Sequence, residues 1–259
     1  MTQASIPRKT LNLRQQEMRD GMWMLLPGIL IIFIITLIPV LYTFVLSFTS
    51  TPLSNPRPQD FVGLANYLAF LKSQQFWQAI WRTFYFTVVS VGAELVLGLA
   101  IASLIHSRPP GWKFLRTSLI IPWAVPTIVN GALWRWIYNA DYGALNGLLM
   151  SLGLITKYRA WLTEPATAMN LVIIADIWHS LPFVVLILQA ALATIPVEME
   201  EAAAVDGATA WQRFWLIRIP LLQPAILVAL IIRTVEAFRV FDIIYVITQG
   251  GPAFGTVTI

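Results

Sequence analysis

Cysteine is absent from all 259 residues, so disulfides and thiolate metal sites are excluded. Histidine occurs only at His106 and His179, too few for a histidine metal cluster. Charge is also scarce: charged residues make up 12% of the chain, against about a quarter in an ordinary soluble domain. No Gly-x-x-x-x-Gly-Lys-Ser/Thr run occurs, so the usual backbone cradle for ATP phosphates is missing. No nucleophile, metal cluster or acid/base pair has the spacing an enzyme needs. The formal net charge of +4 raises nucleic acid as a partner. The basic residues, however, sit at the ends of apolar stretches and form no stripe, and nucleic acid is set aside.

Apolar residues and tryptophan are plentiful, at 58% of the chain and 11 residues respectively, and this composition belongs in a bilayer. Residues 1–21, with Arg8, Lys9, Arg14 and Arg19, read as a cytoplasmic tail. The apolar run Met22 to Phe48 is long enough to cross a bilayer, and no small-residue cleavage site follows it. Pro52, Pro56 and Pro58 predict an extended link, followed by a short interfacial helix near Phe76 and Trp77. A second span covers about Phe84 to Ile105 and stops at His106-Ser107-Arg108-Pro109-Pro110-Gly111. A third covers Ser118 to Tyr138 and is kinked by Pro122 and Pro126. Gly143 to Leu149 predicts a short interfacial helix. A fourth span covers Thr167 to Ala193, and a fifth Leu221 to Thr248, ending at Gln249-Gly250-Gly251-Pro252. The predicted fold is therefore all-α, a polytopic transmembrane helical bundle with about five spans visible. No internal or inverted repeat is evident, which disfavours a repeat-built secondary transporter.

With the N-terminus inside, the cytoplasmic segments hold nine basic residues: Arg8, Lys9, Arg14, Arg19, Arg108, Lys113, Arg116, Arg213 and Arg218. The opposite side holds four: Arg57, Lys72, Lys157 and Arg159. The excess predicts a cytoplasmic N-terminus. It also puts the polar stretch between the fourth and fifth spans, about 194–220, in the cytoplasm.

That stretch is the most patterned part of the chain. Glu198, Glu200 and Glu201 cluster where they complement the positive end of a helix dipole, and Gly207 falls where a helix would stop in a left-handed turn. Ala202, Ala203, Ala204 and Ala208 give helix propensity with little bulk, so a partner's surface can approach the backbone closely. An ordinary loop helix between two spans fits the spacing too. The run Glu201-Ala202-Ala203, then Asp206-Gly207-Ala208, Phe214, Ile217 and Pro220 resembles the EAA loop of ABC importer membrane subunits. Trp178, Pro182, Leu192, Ile195 and Pro196 are similar to the same family. So is the stretch from Ala237 to Pro252, which looks like the carbohydrate-uptake branch that includes maltose/trehalose and glycerol-phosphate permeases.

This resemblance implies a domain of ABC importer type over 22–259, with its core from about 82, in the inner membrane of a bacterium or archaeon. It implies an EAA loop in which Glu201, Ala202, Ala203, Asp206, Gly207 and Ala208 engage an ATPase, and a sixth span whose start coincides with Ile259, so a truncated chain is expected. The implied partners are a second permease subunit, two cytoplasmic ATPase subunits carrying ATP and Mg, an extracytoplasmic solute-binding protein and membrane lipid. No cofactor is expected in this chain, which is read as a transport subunit and not an enzyme. The solute class, a sugar or polyol, also rests on the resemblance.

Intramembrane charges are functional candidates because lipid makes them costly. Arg233, Glu236 and Asp176 are candidates for a translocation path on that ground, and the resemblance adds Ala237 and Val240, at matched positions that face the cavity in the family. On spacing alone, Glu236, Arg239 and Asp242 predict ion pairs along one helix, Asp176 and His179 a hydrogen-bonded pair, and Glu94 an isolated acid at an interface. Trp112, Trp123, Trp134, Trp136 and Trp161 read as interfacial belts. The rival class is an ion-coupled secondary transporter using Asp176, Glu236 and Asp242.

Overall fold

The computed structural model describes residues 13–50 and 60–259. Arg8, Lys9, Pro52, Pro56, Arg57 and Pro58 lie outside the described residues. Among those described there are helices and no β-strand, with one isolated bridge between Thr49 and Phe61.

The chain divides into two compact units, up to Ser73 and from Gln74 onward. In the first, α1 (Leu13–Leu46) is apolar all round its circumference, the pattern of a helix that needs hydrocarbon on every side. It is followed by α2 (Ala65–Lys72), held to the end of α1 by Asn66, whose Nδ2 donates to the Ser47 and Thr49 carbonyls at 2.9 and 3.1 Å. Tyr67 and Phe61 pack on Phe48.

The second unit contains α3 (Gln74–His106), α4 (Trp112–Ser118), α5 (Ile120–Ala124), α6 (Thr127–Ile137), α7 (Ala144–Ser151), α8 (Pro165–Leu192), α9 (Val197–Val205), α10 (Ala210–Arg213), α11 (Ile219–Phe238) and α12 (Asp242–Thr248). Across both units, α1, α3, α8 and the run Ala210–Phe238 are long and apolar enough to cross a membrane; the bent pair of α4–α5 with α6 makes up to five.

Two hydrophobic clusters fix how the long helices run. One contains Phe86 and Val91 of α3, Met169 to Ala175 of α8, and Ala237 of α11. The other contains Ala102 and Ile105 of α3, Val184 to Leu192 of α8, and Leu222 and Ala229 of α11. Residue numbers climb from the first cluster to the second in α3 and α8 and fall in α11. Hence α3 and α8 run parallel and α11 runs against them. His106, Leu192 and Arg218 share one end; Pro165 and Phe238 lie toward the other. This arrangement puts Arg108, Arg213 and Arg218 on the end that also carries α9, and Lys157 and Arg159, just ahead of α8, on the opposite end.

Two expected continuous spans are interrupted. The third, expected from Ser118 to Tyr138 with a kink, turns through 99° between Ala124 and Thr127. Pro126 supplies no N–H and forces Val125 into extended backbone, at φ −76 and ψ 127. The fifth, expected as one helix from Leu221 to Thr248, stops at Phe238, and three residues pass before α12 starts at Asp242.

Gly98 lets α3 pack tightly against α8. A Cβ placed there would lie 2.8 Å from Val184 Cγ1, closer than real side chains pack. Gly98→Ile is expected to destabilise the protein by about 1–3 kcal/mol through overpacking. The expected readout is a lower thermal unfolding midpoint in detergent, recovered in part by adding Val184→Ala.

Candidate functional site

Between the two apolar clusters lies a layer of charge. Each of the three long helices contributes at that level: Ser90 and Glu94 from α3, Asp176 from α8 and Arg233 from α11. Arg233 donates from Nε and Nη2 to both oxygens of Glu94, at 2.6 and 2.8 Å, which is the bidentate geometry that makes a guanidinium pair strong. Its Nη2 also reaches Asp176 Oδ2 at 3.1 Å, and its Nη1 reaches Glu236 Oε2 at 2.7 Å. Ser90 Oγ lies 2.6 Å from Asp176 and 3.0 Å from Glu94, so its single proton serves one carboxylate at a time. Glu94 is fully buried, whereas the Glu236 side chain is 48% exposed. The network therefore has a closed, dry face and an open one.

The open face belongs to a cleft of about 480 Å3. Asp176, Arg233, Glu236 and Val240 line it, as do His179, Arg239, Asp242 and the aromatic rings of Trp123, Phe183 and Phe241. Trp123 and Phe183 stack with centroids 6.1 Å apart. Both helix interruptions border this space. Trp123 and Thr127 flank the first, and Arg239, Val240 and Phe241 form the second. Non-helical backbone at membrane depth is tolerated where it is buried in protein or lines a wet cavity, and the two breaks obey that rule. Chemically, the cleft offers carboxylates, guanidinium groups and aromatic faces in near balance, a set suited to a polar solute with an apolar face.

Four of the five sequence-proposed path residues are brought together here: Asp176, Arg233, Glu236 and Val240. Ala237 is buried in the first apolar cluster, because it lies on the face of α11 that packs inward. The expected pairs are replaced. Glu236 pairs with Arg233, one turn back, in place of Arg239. Asp176 bonds to Ser90 and Arg233, and His179 instead meets the Pro122 carbonyl through Nδ1 at 3.0 Å. Glu94 is not isolated: its cation lies 139 positions away in the chain, beyond any local spacing rule. Trp134 packs against Tyr138 and Trp178, and Trp161 donates Nε1 to Asn146 at 2.8 Å.

A second feature lies at the end of the unit shared by His106 and Arg218. Helix α9 has no buried residue, and Glu201, Ala202 and Asp206 are exposed. It ends in a Schellman turn: Ala208 N–H donates to the Ala203 carbonyl at 2.9 Å and Gly207 N–H to the Ala204 carbonyl at 3.1 Å. Gly207 has φ 84, as the left-handed position requires. Thr209 then caps α10 through a reciprocal box with Gln212. The sequence alone did not disclose what holds α9 in place. Arg218, in the π-helical turn Phe214–Arg218 at the foot of α11, donates from Nε and Nη2 to both oxygens of Glu200 at 2.6 Å. Those hydrogen bonds hold the Glu200 carboxyl below its ordinary range.

These features define the class, a polytopic helical membrane protein with a polar cleft at broken spans and an exposed helix on one face: a transport subunit. Comparison places it further. The family described as binding-protein-dependent transport system inner membrane component matches residues 94–259. The chain is 42% identical over 250 residues to the trehalose/maltose transport system permease protein MalF of Thermococcus litoralis, covering 96% of this chain and 84% of that protein. It is 37% identical to the trehalose transport system permease protein SugA of Mycobacterium tuberculosis, covering 95% and 78%. It is 36% identical to the sulfoquinovosyl glycerol transport system permease protein SmoG of Agrobacterium fabrum, covering 98% and 82%. A crystal structure of a bacterial ABC transporter involved in alginate import shares the fold, with a TM-score of 0.79 at 24% identity over 94% of this chain and 83% of that one. The chain belongs to the binding-protein-dependent inner membrane component family and is an ABC importer permease.

Two outcomes test the geometry. Arg233→Met leaves Glu94 buried without a cation and is expected to cost about 3–5 kcal/mol, read as a lower unfolding midpoint. Glu94→Gln combined with Arg233→Met should regain much of that loss. At α9, the folded Glu200 carboxyl titrates below its ordinary value of 4.5. Its contribution is therefore complete above that value and is lost as pH falls through the lower folded one. A spin label at position 205 should gain mobility in that acid window, and Glu200→Gln should be mobile at every pH.

Proposed function

We propose that this chain is the subunit through which an ABC importer moves a sugar or related polyol across the cytoplasmic membrane of a bacterium or archaeon. The N-terminus lies in the cytoplasm, and the EAA helix α9 couples the chain to ATP hydrolysis by separate subunits. The observation that carries this reading is α9 itself: without a buried residue, ended by a left-handed glycine turn and tied by Glu200 and Arg218 to the foot of α11, whose far end borders the cleft.

ATP can bias an inward/outward equilibrium only through contacts that differ between the two states. A helix gripped by a closing ATPase pair, and fixed to α11 at both carboxylate oxygens, carries that bias to the cleft. Glu201 accepts a bond from a basic residue of the ATPase, while Ala202, Ala203 and Ala208 allow close approach. Asp206 and Gly207 set the turn. ATP and Mg are held by that partner. A second permease subunit and an extracytoplasmic solute-binding protein complete the assembly. The solute class is supported by relatives named for trehalose, maltose and sulfoquinovosyl glycerol, and by a cleft that offers hydroxyl partners beside aromatic faces. The path residues are Asp176, Arg233, Glu236 and Val240. An ion-coupled mechanism is poorly served, since Asp176 and Glu236 both bond to Arg233.

The test is uptake of labelled trehalose, maltose and glycerol glycosides by the complex reconstituted with its ATPase and binding protein. Gly207→Asp, which forces a side chain into a left-handed turn at about 1–2 kcal/mol, and Glu201→Lys should each abolish uptake while the chain still inserts. Unchanged uptake with unchanged ATPase assembly overturns the coupling role, and uptake driven by a proton or sodium gradient without ATP overturns the whole reading.

A further inference from the structure

Away from the cleft, a hollow of about 200 Å3 opens where the ends of α3 and α8 meet α4. Its lining is one-sided in charge: His106, Arg108 and Arg116 beside Trp112 and Gln189, with no carboxylate. Glu200, whose charge interacts with His106, is committed to Arg218. Among the described residues, Arg108 and Arg116 are exposed and take part in no ion pair. Two guanidinium groups lining one hollow with no carboxylate give it a positive potential that favours an anion.

The backbone adds a second, independent observation. Arg108 follows the end of α3 with φ 51, the left-handed conformation that disfavours any side chain. A helix that needed only a stop would be served by glycine there, as α9 is by Gly207. Gln249 ends α12 in the same conformation at φ 54, and of the two Arg108 alone lines the basic hollow. The hollow also lies at the common end of two long apolar helices, where a bilayer gives way to water. Leu104 of α3 and Phe114 of α4 are exposed apolar side chains on the same elements, and Trp112, which lines the hollow, is a residue type that favours that depth.

We propose that this hollow binds the phosphodiester headgroup of an anionic phospholipid. Arg108 and Arg116 take its phosphate oxygens in forked hydrogen bonds, and Gln189 faces its polar tail group. Leu104 and Phe114 meet the acyl chains. The assignment requires a bilayer and does not depend on which solute the chain carries.

The importer complex is placed in nanodiscs of phosphatidylcholine doped with phosphatidylglycerol, and lipid retained after mild delipidation is read by native mass spectrometry. Arg108→Gln with Arg116→Gln is expected to lower phosphatidylglycerol affinity by roughly tenfold or more. The same charge loss at the opposite end, Lys157→Gln with Arg159→Gln, should leave it unchanged. Arg108→Gly removes the guanidinium and the strain together, so it should lose lipid while its unfolding midpoint in detergent holds or rises. Inorganic phosphate and glycerol phosphate, added as soluble competitors, should fail to displace the lipid. Equal retention by the wild type and the double glutamine variant, or displacement by soluble phosphate, overturns the proposal.

Discussion

A single guanidinium, buried at the centre of the second unit, governs how its helices meet. Arg233 is held by Glu94 and Asp176 from two other helices, and the cost of leaving any of the three unpaired in a dry interior exceeds that of most packing errors. Apolar side chains alone would let three greasy helices slide, because every neighbour is as acceptable as lipid. A charged layer between two apolar clusters removes that freedom and fixes the register of α3, α8 and α11 together. The close contact at Gly98 and Val184 then sets how near α3 comes to α8.

The same layer explains why a cleft exists. Charges buried on one side and solvated on the other require an aqueous surface, and the two helix breaks supply the room. Trp123, Phe183 and Phe241 cover the remainder with aromatic faces. At the far end of α11, the same device recurs in milder form: Glu200 and Arg218 pair bidentately while partly exposed, fastening a surface helix to a long one. Two ion pairs, one at mid-span and one at the foot, thus give α11 two fixed points.

Much of this was legible in the residues. Apolar runs located α8 to within two positions at either end, whereas α1 and α3 begin nine and ten residues ahead of the expected starts at Met22 and Phe84, because polar residues such as Arg14, Glu17, Gln78 and Arg82 extend each helix beyond its apolar run. Gly207 after an alanine-rich run foretold the left-handed turn. Local spacing failed where partners are distant in the chain. The rule that pairs residues three and four apart proposed Glu236 with Arg239 and Asp176 with His179; Arg233 took both acids instead, Glu236 from one turn back on the same helix and Asp176 from across helices. Ser90 and Glu94 sit four apart and bond to each other, but nothing local announced Asp176 or Arg233, since their partners on other helices are silent until those helices are known. Proline at position 126 announced a bend; only the extended conformation imposed on Val125 turned a kink into a near right-angle turn.

Helices α6 and α12 are each the second half of an interrupted span, and they lie against one another where Gly131 makes room for Val246. The interruptions behind them both open on the cleft. Whatever occupies that space therefore touches both interruptions at once, at the seam between helices that run unbroken and half-helices that do not.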